Sequence, residues 1–419
     1  MRELWPLPRG KRSGDRLRMG DLTRSEICWV NAIVRHFRKN SGVFLKSMKH
    51  ASRRPAHSAS ISLGEVQAKY QFASDNTAGI CPEAWTAMGK VNEGFEASYG
   101  MDRHTEKASD LFRTYFETNC EVFFVFNGTA ANSLSLASLC QSYHSVIAHD
   151  TSHVETDECG APEFFSNGTK LLLGTGAGGK LAPAAVEALI TKRQDIHYPR
   201  PRVLSLSQPT ELGTRYQPEE LKQLCTVAKK HGMRVHMDGA RFLLAVVSSG
   251  LSPKELSWKA GVDVLCLGGT KAGIGLSEAV VFFDPELAKE FDYRCKQAGQ
   301  LASKMRYLTA PWISMLENSA YEKYLRSALG LASFFAERAV KIPGVRLLHP
   351  VESNAVFLYL PDSMDLFLQQ QGWKYYHFIG GGARFMCSWQ TQKEDVQALL
   401  GDMTRYAAGL NQKSKSSEK

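Results

Sequence analysis

Three short stretches combine residue types suited to chemistry. LCLGGTKAGIG (265 to 275) sets one lysine, Lys271, among four glycines at the end of an apolar run. Such an amine can neutralise a phosphate, form a covalent bond, or simply mark an exposed turn. VHMDGARF (235 to 242) ends its apolar run in Asp238, an acid that is costly there unless a cation or donor meets it. Capping a following helix is the plainer role for such an Asp. Arg241, three residues on, either pairs with Asp238 or grips a carboxylate through its planar fork. FNGTAAN (126 to 132) follows the run EVFFVF and opens a helix-like segment. Amides near Gly128 and Thr129 then point out of a helix N-terminus, where the helix dipole favours an anion; an ordinary Asn/Thr cap is the alternative.

The elements that must position these residues are legible as short apolar runs: EVFFVF (121 to 126), SVIAH (145 to 149), KLLL (170 to 173), RVLSLSQ (202 to 208), MRVHMD (233 to 238), DVLCLG (263 to 268) and AVVFFD (279 to 284). Brief runs of this kind followed by turn residues predict buried, mostly parallel strands. Helix-length segments lie between them. PEELKQLCTVAKKHG (218 to 232) has Pro and two acids at its start, basic residues near its end and Gly just beyond, in keeping with helix caps and dipole. Alternation of this kind predicts an α/β domain whose ligands bind beyond the carboxyl ends of the strands. Asp238, Lys271 and the helix start at 128 then face a common crevice. An anion site, an acid and a glycine-flanked lysine suit a cofactor with a phosphate, a basic ring nitrogen and an aldehyde, which describes pyridoxal phosphate. Lys271 would form the Schiff base and Asp238 would keep the ring nitrogen protonated.

Composition narrows the remaining possibilities. The net charge of +9 is uneven: residues 1 to 70 carry +10 and the rest of the chain −1. A neutral body offers no basic recognition surface, which argues against nucleic acid as a partner. No run approaches the ~20 apolar residues that span a bilayer, and the Arg- and Ser-rich start lacks an export signal's apolar segment. The nine cysteines stand singly, without zinc-finger spacing, so no metal is expected and a reducing, cytoplasmic setting fits. Residues 1 to 70, periodic only around ICWVNAIVRHF (27 to 37), read as a disordered arm or an organellar targeting segment. GTGAGGK (174 to 180) lacks the spacing of a nucleotide loop and reads as a turn.

Longer blocks resemble the low-specificity L-threonine aldolases. They are FASDNTAGICPEAW (72 to 85), FNGTAANSLSLASLCQSYHSVI (126 to 147), HVETDECGAPEFFSNGTKL (153 to 171), RQDIHYPRPRV (193 to 203), HMDGARF (236 to 242), WKAGVDVLCLGGTK (258 to 271) and FDYRCKQAGQLASKMRYL (291 to 308). The resemblance implies the fold type I architecture of pyridoxal-phosphate enzymes; along the chain this divides into an N-terminal arm and large α/β cofactor-binding domain (71 to 319), a smaller C-terminal α+β domain (320 to 410) and a polar tail (411 to 419). It implies Gly128 and Thr129 as phosphate ligands, Lys271 and Asp238 in the roles above, and His153 stacked on the ring. It also implies Arg241, Arg384 and Ser74 near the substrate carboxylate, with Arg241 at the cofactor as well, and His197 near the substrate hydroxyl. The implied reaction cleaves L-threonine or L-allo-threonine to glycine and acetaldehyde in a homotetramer whose sites lie at subunit interfaces. AGIGLSEA (272 to 279) departs from the family pattern. That departure leaves an aldolase for bulkier substrates such as phenylserine as one alternative; an aminotransferase or β-eliminating lyase on the same fold is another.

Overall fold

The seven apolar runs all form strands, and they join in one sheet. β1 (Glu121–Val125), β2 (His144–His149), β3 (Lys170–Gly174), β4 (Arg200–Ser207), β5 (Arg234–Gly239), β6 (Val264–Gly268) and β7 (Glu278–Phe282) lie in the order β1-β7-β6-β5-β4-β2-β3. Strands β2 to β6 are parallel, whereas β7 runs antiparallel to both β1 and β6. This is the mostly parallel α/β sheet that the resemblance implies. The computed structural model describes residues 71–379 and 381–417; the basic extension, with ICWVNAIVRHF, lies outside the described residues.

The inner strands β6 and β7 read as near-continuous apolar runs because both of their faces are covered. On one face Leu204, Met237, Leu265 and Val281 pack with Leu243 and Trp312. On the other, Val146, Val203, Cys266 and Val280 pack against Ala131 and Leu134 of the Gly128–Leu139 helix. Each such buried aliphatic side chain contributes about 1.5–3 kcal/mol of transfer free energy. Pairing registers set Ser207 beside Asp238, Asp238 beside Cys266, Gly268 beside Glu278, and Glu278 beside Val125. The carboxyl ends of β4, β5, β6 and β1 therefore form one edge.

Local punctuation falls where the sequence puts it. The Pro218–Lys230 helix starts in a capping box between Gln217 and Glu220, and Gly232 follows its end with φ +66°. In GTGAGGK, the Gly178 carbonyl accepts hydrogen bonds from Thr210 and Thr214, and Lys180 pairs with Glu220 at 2.7 Å. Those partners make it a stapled turn.

A second sheet, β10-β11-β9-β8, is built from β8 (Arg346–Leu347), β9 (Ala355–Tyr359), β10 (Tyr376–His377) and β11 (Ala383–Met386). It packs on the Ala320–Ala339 helix and on the last helix, Lys393–Ser417, whose backbone runs on into the polar tail. The Ala320–Ala339 helix serves both cores, giving Tyr321 and Leu325 to the large one and Ala328, Ala332 and Phe335 to the small one. Phe72 of the N-terminal arm is also buried in the small core, against Phe335, Trp373 and Phe385. Its N–H donates to the Lys374 carbonyl and its own carbonyl accepts from Met386, both at 2.8 Å. Among the described residues no helix is long and apolar enough to cross a membrane.

Candidate active site

The glycines around Lys271 divide into two physical types. Gly268 and Gly269 are needed for close approach: a Cβ on Gly268 would lie 2.2 Å from the Ala240 carbonyl oxygen, and one on Gly269 2.4 Å from that of Ser277. Gly273 and Gly275 instead adopt φ of +84° and +112°, a region that strains residues with side chains. The result is a tight turn that seats Lys271 just beyond β6, in the short Thr270–Ala272 helix. Burial, and then the Arg241 guanidinium, lower the Lys271 amine below its ordinary value against the pull of Asp75, Asp238 and Glu278.

Asp238 lies at the same edge, buried, near the end of β5. One carboxylate oxygen accepts the Ala240 N–H at 2.9 Å, so the acid does brace the following turn. The other accepts from Asn132 Nδ2 at 2.8 Å. Burial alone would raise this carboxyl, but His153 and Lys271 outweigh it and hold it below its ordinary value. Asn132 also donates to Glu158 at 2.8 Å, and Glu158 meets His153 Nδ1 at 2.8 Å. The His153 backbone N–H donates in turn to Glu211, which also accepts from Ser207. Burial works against charge on the His153 imidazole, yet Glu158 and Asp238 raise it above its ordinary value. Ligand atoms of His153, Glu158 and Asp238 lie within 4.8 Å of one another, a spacing a metal ion could use. Asn132 places N–H donors on both carboxylates there, so the cluster already holds together by hydrogen bonds.

The Gly128–Leu139 helix carries Asn132 one turn in from its start. Asn127 Oδ1 caps the Ala130 N–H at 2.9 Å, while the amides of Gly128 and Thr129 precede the first intrahelical hydrogen bond. A Cβ on Gly128 would meet no atom within 4 Å, so open space lies against this helix start.

Arg241 does not pair with Asp238. Its Nε and Nη2 grip Asp75 at 2.7 and 2.9 Å, and Asn354 adds a third donor to Asp75 at 3.1 Å. Burial would raise the Asp75 carboxyl, but Arg241 dominates and carries it down to about 2. Arg384, on β11, donates to the Ala73 carbonyl at 3.2 Å and lies over the rings of Phe378 and Tyr376 at 5.0 and 5.3 Å. Its Nε is buried without a partner. Burial, then Arg241, lowers this guanidinium to about 10. Ser74 lies in the arm between the Arg384 contact at Ala73 and the Arg241 contact at Asp75, with Oγ accepting the Asn76 N–H.

His197 stands apart. It is exposed, in the loop before β4, with its N–H on Asp195 at 2.9 Å. Asp238 is level with Ser207 at the other end of that strand, and eight residues at ~3.3 Å each span roughly 25 Å. Sequence reasoning did not single out Asp75, Asn132, Glu158, Glu211 or Glu278. The one available signal was a buried-type context: Asn132 lies inside an otherwise small and apolar helix, and Glu158 and Asp75 inside the blocks HVETDECG and FASDN.

The residues present fit pyridoxal phosphate: free helix amides beside open space, a buried anionic carboxylate and an amine of lowered basicity along one sheet edge. Comparison with known proteins agrees. The model of the β-eliminating lyase family matches residues 71–363. The low specificity L-threonine aldolase of Pseudomonas aeruginosa is 60% identical over 334 residues, covering 80% of this chain and 96% of that protein. A low specificity L-threonine aldolase of a Pseudomonas sp. is 57% identical over the same shares. A threonine aldolase structure from Leishmania major superposes with a TM-score of 0.76 at 26% identity, covering 81% of this chain and 99% of that one. Enzymes of this family depend on pyridoxal phosphate. The chain thus belongs to the β-eliminating lyase family, within its low-specificity L-threonine aldolases.

Proposed function

We propose that this protein cleaves L-threonine or L-allo-threonine between Cα and Cβ, releasing glycine and acetaldehyde. The observation that carries the reading is the common edge that gathers Lys271, Asp238 and the open helix start at Gly128. When bound, pyridoxal phosphate supplies an electron sink for the pair left on Cα. Lys271 would hold the cofactor covalently and move protons, roles its lowered basicity suits. Asp238, kept anionic with its two oxygens fixed by Asn132 and the Ala240 amide, would keep the ring nitrogen protonated. The amides of Gly128 and Thr129 would hold the phosphate, and His153, tied to Glu158, would hold the ring.

For the substrate carboxylate the two arginines divide the work. Arg241 already spends two donors on Asp75. Arg384 has a buried donor with no partner and is the carboxylate ligand, with Ser74 beside it. Arg241 orients the arm through Asp75 and lowers the basicity of Lys271.

His197 is assigned the proton of the substrate hydroxyl, and its distance from Asp238 within one chain supports a role in the site of a neighbouring subunit. A homotetramer with shared sites is supported by this placement and by large apolar side chains left exposed on one chain, Trp85, Phe95, Met101 and Leu276. Unpaired cysteines throughout the described residues support a cytoplasmic setting.

The test is direct. Borohydride reduction of the loaded protein should tag Lys271, and L-threonine should yield glycine and acetaldehyde; 2-oxobutyrate in their place would sink the aldolase reading. Lys271→Ala and His197→Asn should each be inactive. Refolded together they should regain activity in about a quarter of their sites, as random pairing across a two-fold interface gives. A mixture that stays inactive would refute the sharing of sites.

A further inference from the structure

Glu278 is a buried acid to which none of the roles above gives a task. It is the first residue of β7, paired in register with Gly268 on one side and Val125 on the other. Its Oε2 accepts the Gly269 N–H at 2.7 Å, and the Thr270 side chain also bonds to it. Gly269 has no room for a side chain between Ser277 and Trp312. The turn that carries Lys271 is thus pinned from beneath by a carboxylate. The charged and titratable groups facing Glu278 are Lys271 from the turn, Asp238 from β5 and the Cys266 thiol from β6. Lys271 itself is faced by Arg241, Asp75 and Asp238 as well as by Glu278.

We propose that Glu278 is a positioning residue for Lys271: one oxygen fixes the Gly269–Lys271 turn, and the charge of the carboxylate holds the proton on the lysine amine. Burial raises this carboxyl to about 7, against Thr270, Lys271 and the Gly269 amide. Asp75 and Asp238 are both held below their ordinary values and stay ionised across the neutral range. Glu278 is therefore the carboxylate beside Lys271 whose charge changes near neutrality. An ionised Glu278 favours the ammonium form of Lys271; a protonated one favours the free amine. The inference rests on the reading of Lys271 as the reactive amine.

The decisive variant is Glu278→Gln, which keeps a carbonyl oxygen for the Gly269 N–H and removes the charge. In the cofactor-free, full-length chain, the reactivity of Lys271 toward trace acetic anhydride is read by mass spectrometry between pH 6 and pH 10. The Glu278→Gln midpoint should fall by about one unit, a tenfold change in the proton concentration at half reaction, as expected for losing a nearby opposite charge. Its thermal midpoint should stay close to that of the parent. An unchanged Lys271 midpoint overturns the proposal. Should Glu278→Gln not fold, Glu278→Asp, which keeps the charge but draws it one methylene back from the turn, decides: its Lys271 midpoint should fall below that of the parent, and an unchanged midpoint overturns the proposal. Borohydride tagging of the loaded parent separates the two ideas. A tagged Lys271 with an unmoved midpoint refutes only the role of Glu278, whereas an untagged Lys271 refutes the reading on which it rests.

Discussion

Replacing Asp75 by Asn should weaken the fold in a pH-dependent way, and the size of the effect follows from its surroundings. The Asp75 side chain is fully buried and receives both Arg241 donors. Its carboxyl is carried from 3.8 to about 2. A depressed folded value contributes stability above the unfolded value, and that contribution is lost as pH falls through the folded one. At about 1.4 kcal/mol per unit, ionised Asp75 contributes about 2 kcal/mol above pH 5 and about half of that near pH 3. Removal also leaves Arg241 buried and unpaired, which brings the total toward 3–5 kcal/mol, a range typical of broken buried pairs. Parallel urea melts of parent and Asp75→Asn at pH 7 and at pH 3.5 give the comparison. The gap should be at least about 2 kcal/mol at pH 7 and narrower at the lower pH. A gap under 0.5 kcal/mol, or one that is the same at both pH values, would show that the pair is not what holds the arm. Arg241 freed by the substitution should also interfere at the substrate carboxylate, so KM should rise along with the loss of stability.

Three further outcomes are expected. Gly128→Ala meets no atom within 4 Å, so stability should move by less than about 0.5 kcal/mol, while the cofactor dissociation constant should rise about tenfold as the new methyl group crowds the phosphate. Arg384→Lys keeps the charge and loses the fork, and kcat/KM should fall about 10- to 100-fold with most of the loss in KM. Asn132→Leu strips a donor from both Asp238 and Glu158; it should cost about 2–3 kcal/mol and weaken cofactor binding, measured by equilibrium dialysis.

Much of this site was legible because each part is local. A strand end followed by a turn announces Asp238 and Lys271, and a strand followed by Asn-Gly-Thr announces an open helix start, within a few residues each. Inner strands such as β6 and β7 could be read because burial on both faces turns them into nearly unbroken apolar runs; the edge strand β3, partly exposed, was still announced by its leucines. What escaped depends on pairing across long separations. Asp75 and Arg241 lie 166 residues apart, and nothing near either predicts that Arg241 closes on the arm in preference to Asp238. Glu278 sits at the start of SEAVVFF, where an acid reads as a solvated strand edge; only the sheet order, with β7 inserted between β1 and β6, buries it. The His197 motif names a chemistry without saying which chain receives it; the strand direction, which sets it far from Asp238, is what supports the proposal of a shared site.

The Ala320–Ala339 helix has a consequence for how this molecule comes apart. Because its first turns belong to one core and its later turns to the other, and because Phe72 ties the arm into the smaller core, neither sheet can open without exposing apolar surface of its neighbour. Regions that share a helix in this way tend to melt as one cooperative block. Proteolysis should therefore find no resistant fragment beginning at residue 320, and heating should lose both sheets in a single step, so that damage to the small sheet registers as loss of the whole.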